Sequence, residues 1–197
     1  MKKGLLIGFI CFVFAGVFAC IYFINTANNL TDMKNLAKRY EADIQTELQT
    51  RFEKVPNLVK IVEQGTEHEQ NIIDSITAAR EEYNKAFTAG NTEEMLQASD
   101  ALQVAITNFE ENYPDIASMD LYKGFIDDYS GIEAAVNIAR RNYNEVVMEY
   151  NNMVEHIPTS LIAKIKGLEP IEEFKASEEA NKPVEIEFAD WKNFYHS

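Results

Sequence analysis

The sequence is poor in the residues on which catalytic and metal sites are usually built. Of its 197 residues, two are cysteine, three are histidine and eight are glycine. Both cysteines, Cys11 and Cys20, lie in an apolar stretch near the N-terminus, so we expect neither an intrachain disulfide nor thiol chemistry in the rest of the chain. The sequence has no glycine-rich phosphate-binding loop and no nucleophile elbow. These absences argue against the common classes of nucleotide-binding protein and hydrolase.

Basic residues are also scarce. The chain has 18 Lys and Arg against 32 Asp and Glu, a formal net charge of −14. A surface of this sign repels nucleic acid and anionic lipid headgroups. The composition therefore predicts no nucleic-acid partner. It suits solubility, cationic partners or divalent ions, and a solvated acidic surface is the simplest interpretation.

One long run without charged residues extends from Gly4 to Ile24. As a helix its 21 residues would be about 31 Å long, which matches the apolar core of a bilayer. The alternative is a cleaved secretory signal or a lipidated Cys20, because Val17-Phe18-Ala19 resembles a small-residue cleavage site. The bulky Phe18 and the apolar residues that continue beyond Cys20 favour an uncleaved, single-pass transmembrane helix.

The distribution of basic residues around this run predicts its orientation. Lys2 and Lys3 come directly before it, whereas Lys34, Lys38 and Arg39 follow at a greater distance. Basic residues next to a membrane span are enriched on the cytoplasmic side. We therefore expect the N-terminus inside and the following domain outside the cytoplasm.

Four amphipathic patterns follow, with apolar residues every three or four positions. Lys54-Val55-Pro56 is predicted to separate the first two, because proline is tolerated in the first turn of a helix and unfavourable inside one. The predicted helices run from Asn28 to about Arg51, from Pro56 to about Ala89, from Thr92 to Asn112, and from about Ile116 to His156. Their lengths and short connections predict an all-α fold, in which the N-terminal transmembrane helix precedes an antiparallel up-and-down four-helix bundle with coiled-coil-like packing.

The chain is accordingly divided into an anchor (residues 1–27), the bundle (28–166) and a C-terminal segment (167–197). A short helix is predicted from Ser160 to Lys166 at the end of the bundle. Val184 to Phe188 alternates apolar and acidic residues, as an extended chain does when one face packs on a surface. The tail from Asp190 to Ser197 is aromatic, and docking on the protein's own bundle is favoured over docking on another molecule.

The pattern A-R-x-x-Y-N occurs twice, 60 residues apart, at Ala79 to Asn84 and at Ala139 to Asn144. In an up-and-down bundle the second and fourth helices run parallel, so both copies would lie near one level. Each Tyr can pack its ring inward while its hydroxyl is hydrogen-bonded. Two similar packing solutions are favoured over a paired polar site.

Gly65 and His68 lie on the apolar stripe of the predicted second helix. Glu67 and Glu69 flank His68, which raises the alternative of a metal-dependent or hydrolytic enzyme. Zinc peptidases of the H-E-x-x-H type need a second histidine where Ile72 stands, and none of the three histidines is preceded three positions earlier by the glutamate of a di-iron motif. We therefore predict no catalytic, cofactor-binding or metal-binding residues. Gly65 is predicted to allow close helix packing, and His68 to be a hydrogen-bonded packing residue.

Several motifs, in order between about residues 28 and 188, resemble the LemA family of bacterial membrane-anchored proteins. They are Asp43-Ile44, Leu48, Arg51, Val55-Pro56-Asn57-Leu58-Val59, Gly65, His68-Glu69, Ala79-Arg80, Glu111-Asn112-Tyr113-Pro114, Ile132-Glu133, Ala139 to Val147, Tyr150-Asn151, Ile157 to Ala163, Phe174 and Val184 to Phe188. The resemblance implies a helical bundle behind one N-terminal anchor in a bacterial cell membrane, without established catalytic residues or substrate. Glu41 stands where the family often has Trp, and the aromatic tail looks like an addition.

These observations predict a membrane-tethered, non-catalytic interaction or scaffold protein of the cell envelope. Its expected partners are the membrane and a protein of unknown identity, with no cofactor, and a homo-oligomer is compatible with the sequence. The alternative to an interaction module is a structural spacer. In that role the first helix would extend the anchor and hold the bundle at a fixed height in an oligomer.

Overall fold

The computed structural model describes residues 2–65 and 70–175, and this part of the chain contains helices but no strand. The helices are α1 (Lys2–Gly65), α2 (Gln70–Ala89), α3 (Thr92–Asn112), α4 (Pro114–Ala117), α5 (Asp120–Glu155) and α6 (Thr159–Ile165). The all-α prediction is therefore confirmed. Residues 168–175 follow α6 as a non-helical stretch, which we call the extended segment.

The first helix, α1, is a single helix of 64 residues. At 1.5 Å per residue it is about 96 Å long. It includes the apolar N-terminal run, whose most apolar window has a mean hydropathy of 2.6, and within the described residues it is the one helix long and apolar enough to cross a membrane. Residues 6–24 of that run are exposed, whereas Thr26, Ala27 and Leu30, directly after it, are buried. The apolar run thus joins the packed part of the chain without a connecting loop.

The predicted helix break at Pro56 is wrong, because Pro56 lies inside α1. Proline lacks the N–H that would bond the carbonyl of Phe52, which weakens a helix locally. However, Phe52, Val55 and Leu58 around it are all buried. Helical stability in proteins comes mainly from such tertiary packing, so the continuous apolar stripe outweighs the local preference of proline.

The predicted second helix consequently begins too early. Its described part, α2, starts at Gln70, and Gly65 is the last residue of α1 rather than a residue in the middle of a second helix. His68, with Glu67 and Glu69, lies outside the described residues. The predicted packing roles of Gly65 and His68 therefore stay predictions.

The boundaries of the later helices follow local signals. The predicted third helix, Thr92 to Asn112, is confirmed. Gly90 ends α2 with a φ of 67°, the left-handed conformation that glycine adopts easily, and the Asn91 side chain caps α3 by accepting a 3.2 Å hydrogen bond from the Glu94 N–H. The predicted fourth helix is divided into α4 and α5 by the extended backbone of Met119. The short helix near Ser160 is confirmed as α6.

Contacts between helices follow a consistent order along the chain. The Nζ atom of Lys54 in α1 lies 3.8 Å from the Oδ2 atom of Asp128 in α5. Leu30, which comes earlier in α1, shares an apolar cluster with Tyr150, which comes later in α5. Residue numbers therefore rise along α1 as they fall along the α5 residues that it contacts. The larger apolar cluster lies between α1, α2, α3 and α5, and its aromatic members are Phe52, Tyr83, Phe109, Tyr122, Phe125, Tyr129 and Tyr143.

The last helix, α6, packs beside the start of the packed part of α1. The Lys166 ammonium group, directly after α6, donates to the carbonyl of Ala27 at 3.1 Å and to the Thr31 hydroxyl at 2.8 Å. Ile162 and Ala163 are buried in the same cluster as Ala27. This end of the structure, next to the apolar run, is therefore closed by α6.

Candidate functional site

Within residues 2–65 and 70–175, no group of three His, Cys, Asp or Glu side chains is placed to hold a metal ion. The alternative site at His68 lies outside these residues and is not tested by them. Two other polar arrangements are the most distinctive features of the described chain. They are a buried arginine in α1 and the set of hydrogen bonds that holds the extended segment.

The buried arginine is Arg51, whose side chain is 3% exposed. It lies on the apolar stripe of α1 formed with Ile44, Leu48, Val55 and Leu58, all of which are buried. Ile44, Arg51 and Leu58 are spaced by seven residues, so they occupy equivalent positions two helical turns apart. Arg51 therefore places a positive charge at a position where the apolar stripe of α1 predicts an aliphatic side chain.

The guanidinium group of Arg51 connects three helices. Its Nε donates to the Tyr129 hydroxyl of α5 at 2.6 Å, its Nη2 donates to Gln103 Oε1 of α3 at 2.9 Å, and its Nη1 donates to Ser99 Oγ of α3. The Arg51 Cζ atom also lies 4.6 Å from the centroid of the Tyr129 ring, within cation–π range. These three acceptors are neutral, so hydrogen bonds and the aromatic face compensate for the loss of hydration of the charge.

The electrostatics of this group favour a structural role. Burial raises the pKa of Tyr129 to about 12, even though the neighbouring Arg51 lowers it, and Glu133 and Asp100 add to the increase. A general acid or base works best when its pKa lies near the operating pH. The Tyr129 hydroxyl stays protonated at neutral pH, so this arrangement suits the joining of helices better than proton transfer.

Two asparagines of α5 hold the extended segment by its main chain. The Asn151 side-chain amide donates to the carbonyl of Ile171 at 2.8 Å and accepts from its N–H at 2.8 Å. Asn144 makes the same pair of bonds with Phe174, at 2.7 and 3.0 Å. Each amide thus pairs with one residue as a neighbouring β-strand would, although no strand is present in the described residues.

Other side chains of α5 complete the attachment. Three of them donate to main-chain carbonyls of the extended segment: the Tyr150 hydroxyl to Glu169 (3.1 Å), the Tyr143 hydroxyl to Glu172 (3.2 Å), and Arg140 to Lys175. The Phe174 ring packs 4.5 Å from the Tyr143 ring, centroid to centroid. Burial, together with Glu41, raises the pKa of Tyr143 to about 12, so its hydroxyl remains a donor at neutral pH.

The spacing of the two asparagines matches the geometry of an extended chain. Asn144 and Asn151 are seven residues apart, which is about 10.5 Å along a helix. Their partners Ile171 and Phe174 are three residues apart, which is about 10 Å along an extended chain. The repeat of Tyr-Asn after seven residues therefore forms a regular binding surface for a main chain that runs opposite to α5.

A comparison with models of protein families identifies the family of this chain. A model of the LemA family matches residues 40–188. The chain belongs to the LemA family. The matched range includes Arg51, the Tyr-Asn pairs of α5 and the extended segment, and it ends before the aromatic tail from Asp190 to Ser197. A search of curated proteins finds no match.

In this LemA-family chain, Arg51 is predicted only as the approximate end of the first helix and as part of the family resemblance, with no functional role. The available signal was its place on the stripe of α1, midway between Ile44 and Leu58. In the second copy of the A-R-x-x-Y-N pattern, Arg140, Tyr143 and Asn144 all bind the extended segment, a role that neither the predicted packing solution nor the alternative of a paired polar site included. The sequence feature that could have indicated this binding is the Tyr-Asn pair at Tyr143-Asn144, which is repeated seven residues later at Tyr150-Asn151.

The end of the extended segment lies over a cavity of about 560 Å³, lined by residues 171–175, by Glu41 and by the loop between α2 and α3. Glu41 accepts a 2.9 Å hydrogen bond from the Thr92 hydroxyl, which in turn accepts one of 2.8 Å from the Gln45 amide. Glu41 is thus incorporated into a polar chain linking α1 and α3. The cavity also places Lys175 near Gly90, the residue that follows α2.

We expect Asn151→Ala to release the middle of the extended segment from α5. The change removes two hydrogen bonds, each contributing about 1 kcal/mol, and we expect a loss of about 1–2 kcal/mol in the free energy of unfolding. Hydrogen exchange measured by mass spectrometry should show faster exchange at the Ile171 amide. Asn152→Ala, at the adjacent exposed position, is the matched control. Equal exchange in the two variants would show that the asparagine amide does not hold the segment.

Proposed function

We propose that this protein is a non-catalytic interaction or scaffold protein held to a bacterial membrane by the N-terminal part of α1. The observation that carries the proposal is the continuity of α1, in which an exposed apolar run passes directly into a packed stripe. The conspicuous polar side chains of the described residues, Arg51 and the asparagines and tyrosines of α5, join parts of the chain to one another. This use of polar groups supports a structural module rather than an enzyme.

We also propose that α1, α2, α3 and α5 form an antiparallel up-and-down four-helix bundle. The opposite order of contacts between α1 and α5 supports this arrangement. In addition, Phe52 of α1 stacks on Tyr83 of α2 with ring centroids 4.1 Å apart, and Arg51 binds both α3 and α5. The two-residue connection Gly90-Asn91 between α2 and α3 is typical of neighbouring antiparallel helices.

The surface beside the apolar run supports the proposed attachment to a membrane. Ile157, Leu161 and Ile165 are spaced by four residues and are 82%, 57% and 71% exposed. They belong to α6 and the turn before it, and α6 packs against Ala27, just beyond the apolar run. In a membrane-anchored chain these aliphatic side chains would lie at the bilayer interface, where their exposure to water is reduced.

For the orientation, we propose that the packed part lies outside the cytoplasm, as the distribution of basic residues favours. The expected protein partner has a cationic surface, because the chain carries a net charge of −14. A second candidate role, a structural spacer in an oligomer, is favoured by the stiffness of a continuous α1. The solution mass of the protein in detergent micelles separates a monomer from such an assembly.

Protease treatment of intact bacterial cells or spheroplasts tests the proposed localisation. We expect an added protease to degrade residues beyond about 28 without lysis, while a cytoplasmic marker protein stays intact. A fragment containing the apolar run should remain in the membrane fraction. Survival of the whole chain until lysis would place the packed part in the cytoplasm. Recovery of the chain in the soluble fraction would contradict anchoring itself.

In-cell cross-linking tests the interaction role. We expect a cross-linked complex with another protein whose yield falls as salt rises, because contacts between exposed charges are screened by salt. Purified protein alone provides the control for self-association. A chain that forms neither complex under these conditions would contradict both the interaction role and the spacer role.

A further inference from the structure

The first copy of the A-R-x-x-Y-N pattern lies in the same register on α2 as the second copy on α5. Buried residues stand seven and four positions before the tyrosine and three positions after it: Ile76, Ala79 and Ala86 around Tyr83, and Val136, Ala139 and Val146 around Tyr143. In each copy the arginine follows the buried alanine and the asparagine follows the buried tyrosine. The two helices therefore present the same three polar groups in the same arrangement.

The two copies differ in what their polar groups bind. On α5 all three groups donate to the main chain of the extended segment, whereas Arg80 and Asn84 of α2 are exposed. Tyr83 is only 5% exposed, and its hydroxyl has no hydrogen-bond partner within the described residues. A buried hydroxyl without a partner is unfavourable, so an acceptor for the Tyr83 hydroxyl would stabilise the structure.

A groove lies beside the Tyr83 side chain. A cavity of about 210 Å³ is lined by Tyr83, Arg80 and Asn84 of α2 together with Phe52 of α1. Phe52 stacks on Tyr83 with ring centroids 4.1 Å apart, and Phe87, half exposed, packs against Tyr83 with ring centroids 5.9 Å apart. Aromatic rings thus lie next to the three polar groups of the first copy, a combination that can accommodate an extended chain with alternating apolar side chains.

We propose that this groove is a second peptide-binding site, and that its occupant is residues 184–188 of the same chain, held by Arg80, Tyr83 and Asn84 through its main chain. The alternation of Val184, Ile186 and Phe188 with glutamates gives this segment one apolar face for the aromatic rings. The inference does not depend on membrane anchoring or on the absence of catalysis.

The end of the extended segment supports this occupant. Lys175 and Gly90 line one cavity, so the described chain ends beside the C-terminal end of α2. Gly90 and Arg80 are ten residues apart, about 15 Å along a helix. The nine residues from Lys175 to Val184 span up to about 30 Å when extended. The later chain is thus long enough to enter the groove.

The direction of the chain is also suitable. Along α5, residue numbers in the extended segment rise while those of the helix fall, from Asn151 to Arg140. A chain that continues from the C-terminal end of α2 would meet Asn84 first and Arg80 last, which is the same order and the same direction relative to the helix. Burial, together with Glu53, raises the pKa of Tyr83 to about 12, so its hydroxyl is available as a donor at neutral pH.

Hydrogen exchange of the full chain in detergent micelles tests the proposal. We expect the amides of residues 184–188 to exchange at least tenfold more slowly in the unchanged protein than in Asn84→Ala. Tyr83→Phe should also accelerate their exchange, because it removes a single donor while preserving the buried ring. Asn71→Ala, another exposed asparagine of α2, should match the unchanged protein. Exchange within α2 itself should be similar in all four proteins, which verifies that the variants fold.

Two results would overturn the proposal. Equal exchange of residues 184–188 in all four proteins would show that the α2 groove does not bind them. Protection that disappears when the protein is diluted with empty micelles would assign the groove to a segment of a second copy instead. Protection that is independent of dilution and sensitive to both Asn84 and Tyr83 supports binding within one chain.

Discussion

Replacing Arg51 with alanine is expected to lower the free energy of unfolding by about 3–5 kcal/mol. The change removes the donor for three acceptors, on the buried Tyr129 and Ser99 and on the partly buried Gln103. Hydrogen bonds to a charged group contribute about 1.5–3 kcal/mol each. The change also leaves a cavity beside the Tyr129 ring, and truncation of a large buried side chain alone costs about 2–5 kcal/mol. The two effects overlap, so we do not add them. Chemical denaturation followed by circular dichroism in detergent micelles measures the difference.

Two further variants identify the cause of this loss. Arg51→Lys retains the charge but cannot reproduce the planar set of donors, so we expect an intermediate loss of about 2–3 kcal/mol. Arg39→Ala, at an exposed arginine of the same helix, should change stability by no more than about 0.5 kcal/mol. If Arg51→Ala were as stable as Arg39→Ala, the hydrogen bonds of Arg51 would not hold α1, α3 and α5 together.

Replacing Pro56 with alanine should have the opposite effect and raise the free energy of unfolding by about 1–3 kcal/mol. Proline inside a helix costs about 3 kcal/mol relative to alanine, because it lacks the N–H and crowds the preceding turn. Part of this gain is offset because alanine gives the unfolded chain more conformational freedom, by about 0.4–1 kcal/mol. The same denaturation experiment measures the change.

Pro114 provides the control for this prediction, because it stands in the first turn of α4, where the missing N–H has no helical partner in any case. Pro114→Ala should therefore be neutral or slightly destabilising. A loss of stability in Pro56→Ala would mean that Val55 and Leu58 pack well only around the backbone geometry that proline imposes. In that case a bend at Pro56 would be part of the native packing.

The helices of this protein could be predicted largely from the sequence, because apolar residues at helical spacing mark the face of each helix that is buried. The start of α3 is marked by Gly90, by the Asn91 cap and by the acidic residues of its first turn, all of which act locally. Pro56 shows where this reasoning fails. Its local preference is to start a helix, but the packed stripe on both sides of it decides the outcome, and sequence alone does not give the strength of that packing.

The polar features were less accessible. Arg51 interrupts an apolar stripe, and that position indicates burial, but its partners lie 48 to 78 residues away and cannot be read from local spacing. The extended segment has no helical or strand period of its own, so its path depends on the asparagines of α5. The seven-residue repeat of Tyr-Asn was visible in the sequence. Its meaning required the partner segment to be located.

The unbroken α1 also limits where a partner can meet the protein. A domain on a flexible linker samples a wide volume, and its effective concentration near any one partner falls as the linker lengthens. If the apolar run lies in a membrane, the residues from Asn25 to Gly65 instead place the far end of α1 roughly 60 Å beyond the bilayer core. The encounter then becomes a search in two dimensions within a narrow layer parallel to the membrane. A second anchored protein would meet this chain efficiently only if its own binding surface lay in that layer.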